Sequence, residues 1–526
     1  MGQDLSIALI PPPLTLQDCI INGRFDITRY LYFRRTLDHY EDVDHIISNN
    51  ASRKRRISIK MENQRKKARA PRSVKRHKLL VRENDGSLRE ILPTDTLWYL
   101  LYVAHPPQNK RLSDKFRLRF RLPYDVFLEL SEEIKHHELF QQWTRCDAVG
   151  NHPSDMKLLL LGSLRYIGRS WTLDDISEAN GISINTNDSF LKAFIKYGST
   201  TLYKKWVLDQ RITNPVHEQE SIFRLEGFNG CIGSTDATHI PMLQCPFWAH
   251  NIHKGFKLNT PARTYNVTAD HSRRIIGSTS GHPGTWNDKT LVLFDELLYN
   301  IREKNIFKDF EFKLFERDAN DKIIEVTYEG VWLMVDNGYL AWSCTVPPDS
   351  NATSYEGIRF SEWLESMRKD VECLFGIMKG RFCILRNGFK FHKIEHCDQL
   401  WLTCCALHNM LLNVDGLDKN WENGIRSNWE IHDNRNRNQN FELIIDTPFA
   451  LTRLNRDVTF EDVESSDDDS CNVLPMETLC RRYTINGKRI VANMPLHLFR
   501  KCLISHFNIR FQRNDIIWPR CLKKVN

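Results

Sequence analysis

Two strand-like runs that each stop at an aspartate constrain this chain most. Residues 231–235 read Cys-Ile-Gly-Ser-Thr and precede Asp236; residues 331–335 read Val-Trp-Leu-Met-Val and precede Asp336. The second run is apolar without alternation, which suits a central strand covered on both faces by helices. Residues 265–269 and 275–279 add two strands, and Asp270-His-Ser-Arg-Arg274 between them reads as a hairpin turn. Residues 361–381 change to helical spacing, with Trp363, Leu364, Met367, Val371, Leu374 and Phe375 apolar, and residues 401–412 form a further apolar helix. Residues 229–415 therefore read as an α/β domain.

The flanking regions have a different character. Residues 96–228 carry helical signals, including Val126, Phe127, Leu130 and Ile134 after Pro123 and Asp125. Thr172 is suited to cap a helix together with Asp175, Gly181 suits a tight turn, and Ser183 suits the cap of a second helix. That layout fits a helix-turn-helix or an ordinary helical hairpin, with Asn185, Thr186, Asn187, Asp188 and Lys192 expected outward. Residues 416–526 read as a polar and acidic linker, with six carboxylates over 461–470, and then a helical tail that folds back on the body.

Charge is unevenly spread. Residues 53–78 hold 13 Lys or Arg and one acid, a local +12, whereas the whole chain is +7. The remainder is thus −5 by difference. Residues 1–95 are expected to be largely disordered, because so charged a segment cannot bury enough apolar surface to fold alone. Within it Arg53, Lys54, Arg55, Arg56, Arg65, Lys66 and Lys67 are candidates for phosphate contact and nuclear import. No apolar run approaches the length of a membrane span, and Asp4 and the prolines at 11–13 argue against a secretory signal. Gly2 and Ser6 match a short myristoylation pattern. The 14 cysteines include no C-x-x-C pair, which argues against structural zinc and fits reduced, intracellular thiols.

Asp236 and Asp336, joined by Glu372 on the helical segment, form the candidate site. Taken singly, each aspartate could be a strand-end cap and Glu372 a solvated position. If the three converge, they suit divalent-cation phosphoryl chemistry, since Mg²⁺ and Mn²⁺ prefer oxygen ligands. Arg368, one turn before Glu372, could orient it or contact phosphate. His239 could contact substrate or make a structural hydrogen bond, and Lys254, Lys257 and Arg263 could contact a DNA backbone. Asp270 is explained by its turn and Asp288 by a loop or helix cap. His408, Trp342 and Trp363 read as core residues.

Three ordered segments resemble Harbinger-type (PIF/Harbinger) transposase-derived DDE nucleases. They are Gly233-Ser-Thr-Asp236-Ala-Thr-His239, Val335-Asp336-Asn-Gly-Tyr339, and Arg368-Lys-Asp-Val-Glu372 running on through Gly376 and Lys379 to Arg381. Glu372 follows Asp336 by 36 positions, a spacing similar to that family's. His253-Lys254-Gly255, Pro283-Gly-Thr-Trp-Asn-Asp288 and Ala406-Leu-His408-Asn409 also look like it. The resemblance implies a ribonuclease-H-like mixed sheet flanked by helices. It implies that Asp236, Asp336 and Glu372 bind two divalent metal ions (Mg²⁺ or Mn²⁺), with His239, Arg368 and Lys379 in support. It further implies cleavage of double-stranded DNA at transposon ends and joining to a target. A Myb-like DNA-binding partner protein and a homo-oligomer are possible companions, with no membrane involved. A domesticated, non-cleaving DNA-binding or adaptor protein on the same fold is the alternative.

Overall fold

The structure is a computed structural model that describes residues 20–21, 24–25, 80–82, 85–146, 153–209, 216–255, 257–304, 306–416 and 476–516. The basic cluster at 53–78, the expected disorder across most of 1–95 and the acidic run at 461–470 lie outside the described residues. The chain divides into two compact units, Met1–Lys78 and Leu79–Asn526. The second unit holds all the elements that follow.

Its first part is helical: α1 Lys110–Phe120, α2 Tyr124–Lys135, α3 Met156–Arg169, α4 Leu173–Asn180 and α5 Ile184–Tyr197. The α4–α5 pair forms as its caps dictate. Thr172 Oγ1 accepts from Asp175 N at 3.1 Å and Asp175 returns a bond to Thr172 N at 3.0 Å. Gly181 takes φ +68°, and a Cβ there would sit 3.2 Å from Pro93 Cα, so both conformation and space favour glycine. Ser183 accepts from Thr186 N and opens α5. Asn187, expected on the outer face, is instead buried: its amide donates to Ile182 O at 2.9 Å and accepts from Asn180 at 2.8 Å. The amide pair satisfies the turn's polar groups, which is why a polar residue faces inward.

After α6 Val216–Leu225 comes the sheet region: β1 Cys231–Pro241, β2 Ala262–Ala269, β3 Ile275–Ser278, then α7 Asp288–Leu291. A hairpin follows, β4 Glu311–Arg317 and β5 Ile323–Glu329, and then β6 Trp332–Met334 and β7 Thr345–Val346. Three long helices complete the unit, α8 Tyr355–Arg381, α9 Ile394–Val414 and α10 Leu496–Gln512, with β8 Lys488–Ile490 just before the last. The main sheet runs β7-β6-β1-β2-β3, parallel from β7 to β1 and antiparallel from β1 to β3. This mixed α/β arrangement is consistent with a ribonuclease-H-like fold. The first strand does not stop at Asp236: it continues to Pro241, because β2 pairs with it from Ser234 to Pro241.

Two apolar cores meet along α8. Its first half, with Phe360, Leu364 and Met367, packs with Trp332, Leu333 and the α10 side chains Phe499 and Phe507. Its second half, with Val371, Leu374 and Met378, joins Tyr265 and Val267 of the sheet, α9 and the helical part. Glu372 thus rides on a helix fixed at both ends by burial, and the helical part shares a continuous core with the sheet rather than standing apart. A second sheet pairs β4 with β5 and adds β8 in parallel, held by a buried Arg489–Glu316 ion pair at 2.5 Å. The C-terminal residues therefore belong to the body. Among the described residues, no helix is long and apolar enough to cross a membrane.

Candidate active site

The sheet register brings the two aspartates together. Met334 pairs with Ser234 across the parallel β6–β1 ladder. Asp236 lies two residues beyond Ser234 on β1, and Asp336 lies two residues beyond Met334, just past the end of β6, so both follow the last pair of the parallel ladder. Asp336 Oδ1 accepts from Gly338 N at 2.7 Å, an Asx turn that ends the β6 segment. A Cβ on Gly338 would come within 2.9 Å of both Asp336 Oδ1 and Asp288 Oδ2, so Asp288 borders the same space.

The aspartates act on one another's charge. Burial raises the Asp236 carboxyl to about 6; the Ala237 amide and Arg368 work against that, and Asp336 and Asp288 add to it. Asp288 is also raised, by burial and by Asp336, with Lys257 opposing. The Tyr339 hydroxyl is raised by burial and then by Asp236, Asp288 and Asp336, and it donates to Asn266 Oδ1 at 2.6 Å. Arg368 and Lys257 offset part of the charge of the three aspartates, and a carboxylate cluster balanced only in part favours a bound cation.

Glu372 is placed differently. Its side chain is 41% exposed and pairs with Arg368 Nη2 at 3.0 Å and Lys369 Nζ at 3.2 Å. Arg368 is the hub: it also contacts Asp236 Oδ2 at 3.3 Å and Glu365 Oε1 at 2.8 Å. Burial acts against its charge, but Glu365, Asp236 and Glu372 outweigh that and its pKa is raised. Glu372 is linked to Asp236 through a guanidinium rather than directly. Among the described residues, no three Asp, Glu, His or Cys side chains are grouped so as to hold a metal ion. The oxygen donors of Asp236 and Asp336 suit a hard divalent ion, and Glu372 would complete the set on leaving Arg368.

The remaining candidates separate into two groups. His239 Nδ1 lies 2.8 Å from Thr264 Oγ1, its cross-strand neighbour. Burial, with Lys257 and Lys379 nearby, lowers its pKa to about 4, so the ring is neutral at pH 7. Lys379 is itself lowered by burial. Lys254 and Lys257 are exposed. Arg263 is not: its side chain is 8% exposed and pairs with Asp398 at 2.5 Å. Asp270 accepts from Arg274 N at 2.9 Å within the hairpin turn, and His408 is fully buried with Nε2 2.9 Å from Arg273 O. Asp288, read from the sequence as a loop or helix-cap residue, is the first residue of α7, where Asn287 supplies the cap, and its carboxylate borders the same space as Asp336.

Residues 235–409, about a third of the chain, match the family model described as DDE superfamily endonuclease. The matched stretch holds Asp236, Asp288, Asp336 and Glu372 and supports a transposase-like nuclease family. No curated protein and no solved structure matches the chain.

Proposed function

We propose that the chain is a metal-dependent DNA endonuclease and strand transferase of the Harbinger type that cuts at transposon ends. The observation that carries this is that Asp236 on β1 and Asp336 just past the end of the neighbouring β6 act on each other's charge, inside a stretch that matches the endonuclease family. With Glu372 they would hold two divalent ions, which supply electrostatic activation of the attacking and leaving oxygens of a phosphodiester. The protein's own groups do the rest. Asp236 and Asp336 fix the position of positive charge at the strand ends, and Asp288 adds negative charge beside them. Arg368 holds Asp236 and Glu372 in place before loading and is then free for a phosphate oxygen. Neutral His239 offers a hydrogen bond from the sheet edge, and Lys254 and Lys257 offer backbone contacts. The basic residues at 53–78 add affinity for duplex DNA and direct the protein to the nucleus. The α4–α5 pair acts as a helix-turn-helix, and a Myb-like partner or a second copy assists end recognition.

Nicking of supercoiled plasmid with Mn²⁺ tests the reading. Wild type nicks, whereas Asp336→Asn does not and still binds DNA; persistent metal-dependent nicking in the variant refutes the assignment. One observation favours a second reading. The Arg368 guanidinium already neutralises Asp236 and Glu372, as suits a domesticated adaptor that binds DNA without cutting. A lack of stabilisation by millimolar Mn²⁺ in wild type would select it.

A further inference from the structure

The loop joining β1 to β2 carries an unusual surface. Leu243 is 57% exposed, Phe247 97%, Trp248 61% and Ile252 48%, four large apolar side chains within ten residues. Isolated exposed apolar residues are ordinary, but a local group of them marks an interaction site. Trp248 and Ile252 are four apart across the short helical turns Phe247–Ala249 and His250–His253, so they share a face.

The charge carried by this stretch of chain has one sign. Between Asp236 and Asp270 it contains no Asp or Glu, and it contains Lys254, Lys257 and Arg263. Arg263 is internally paired, which leaves Lys254 and Lys257 as the exposed cations of the same loop. Exposed aromatic faces on a loop whose own charged side chains are all basic complement nucleic acid, where phosphates meet the cations and bases stack on the rings.

The patch is also tied to the carboxylates. Thr285 Oγ1 donates to Ile252 O at 2.8 Å. A Cβ on Gly255 would lie 1.9 Å from Gly284 O, so the loop backbone is pressed against the segment leading into α7 and Asp288. The charge of Lys257 acts on both Asp288 and His239.

We infer that Phe247 and Trp248 form a stacking platform for DNA bases unpaired beside the scissile phosphate. This rests on the nuclease reading for its substrate, and it specifies a feature of that substrate: a frayed or single-stranded end rather than a continuous duplex. Lys254 and Lys257 hold the phosphates of the same strand.

The test uses the full chain and two probes in EDTA: a short blunt duplex, and the same duplex with a single-stranded 3′ overhang bearing 2-aminopurine. Wild type prefers the overhang and quenches the fluorophore. Phe247→Ala with Trp248→Ala weakens overhang binding by about tenfold per stacked base, equivalent to about 1.4 kcal/mol, and abolishes quenching. Blunt-duplex binding and the salt slope stay unchanged, whereas Lys254→Ala lowers the slope. Trp248→Tyr retains quenching, which separates stacking from misfolding. Equal loss on both probes, or quenching that survives in the double variant, overturns the inference and leaves the patch to a protein partner. Cleavage with Mn²⁺ is read in parallel samples. Overhang preference without cleavage removes the nuclease reading alone, and cleavage without preference removes this inference alone.

Discussion

Replacing Asp236 by Asn should stabilise the metal-free protein while abolishing cleavage. In the fold the Asp236 carboxyl is raised from 3.8 to about 6, first by burial. A raised carboxyl pKa means that the ionised form is disfavoured by folding. Stability is therefore fully present below about pH 4, falls as pH rises to about 6, and is level above that. A rise of about two pH units corresponds to about 3 kcal/mol at about 1.4 kcal/mol per unit. That rise already includes the opposing attraction of Arg368 at 3.3 Å, so the expected gain at pH 8 is about 2–3 kcal/mol. Urea denaturation in EDTA at pH 8 and pH 4 measures it, and the gain should shrink to about 0.5 kcal/mol at pH 4, where the carboxyl is protonated in the fold and about half protonated in the unfolded chain. Excess Mn²⁺ should reverse the order, since a ligand at about 100 times its Kd adds about 2.7 kcal/mol to the protein that binds it. A destabilised variant at pH 8 in EDTA, or a gain that is the same at both pH values, would refute the reasoning that burial of the Asp236 carboxylate outweighs its contact with Arg368.

Other perturbations test separate parts. Arg368→Met should lower stability in EDTA by about 1–2 kcal/mol, held below the value for a fully buried pair because Glu365 and Glu372 are more than a third exposed; calorimetry should show the deficit shrinking in Mn²⁺. Arg489→Ala leaves Glu316 buried without its partner and should cost about 3–5 kcal/mol in urea denaturation, with the C-terminal segment becoming the first site of limited proteolysis. Thr172→Ala removes the cap of α4 and should cost about 1 kcal/mol by thermal denaturation. Deleting residues 1–78 should reduce the slope of log affinity against log salt by about 0.9 for each phosphate that the shortened chain no longer neutralises, measured by DNA titration.

The strand before Asp336 was legible because an uninterrupted apolar run followed by Asp is a strong local signal, and the short strand-like run 231–235 before Asp236 was legible beside it. The turn at Gly181 and the caps Thr172 and Ser183 were legible for the same reason: each acts within four residues. What depended on distant partners was not. Nothing local shows that β1 continues past Asp236, since that is set by pairing with β2. The second sheet was missed although β4 alternates buried and exposed residues, because its third strand, β8, comes from the far end of the chain. Asp288 looked like a cap because its proximity to Asp336 arises only from the loop around Gly338. Arg263 looked available because its partner Asp398 is 135 residues away.

The most direct test of the central claim is to map cuts. The purified full chain is incubated with DNA flanking its own coding sequence and Mn²⁺, and the ends produced are sequenced. The account predicts breaks at fixed positions at the element's termini, absent in EDTA and absent with Asp236→Asn or Asp336→Asn. Bound but uncut DNA, with wild type and both variants alike, would contradict it.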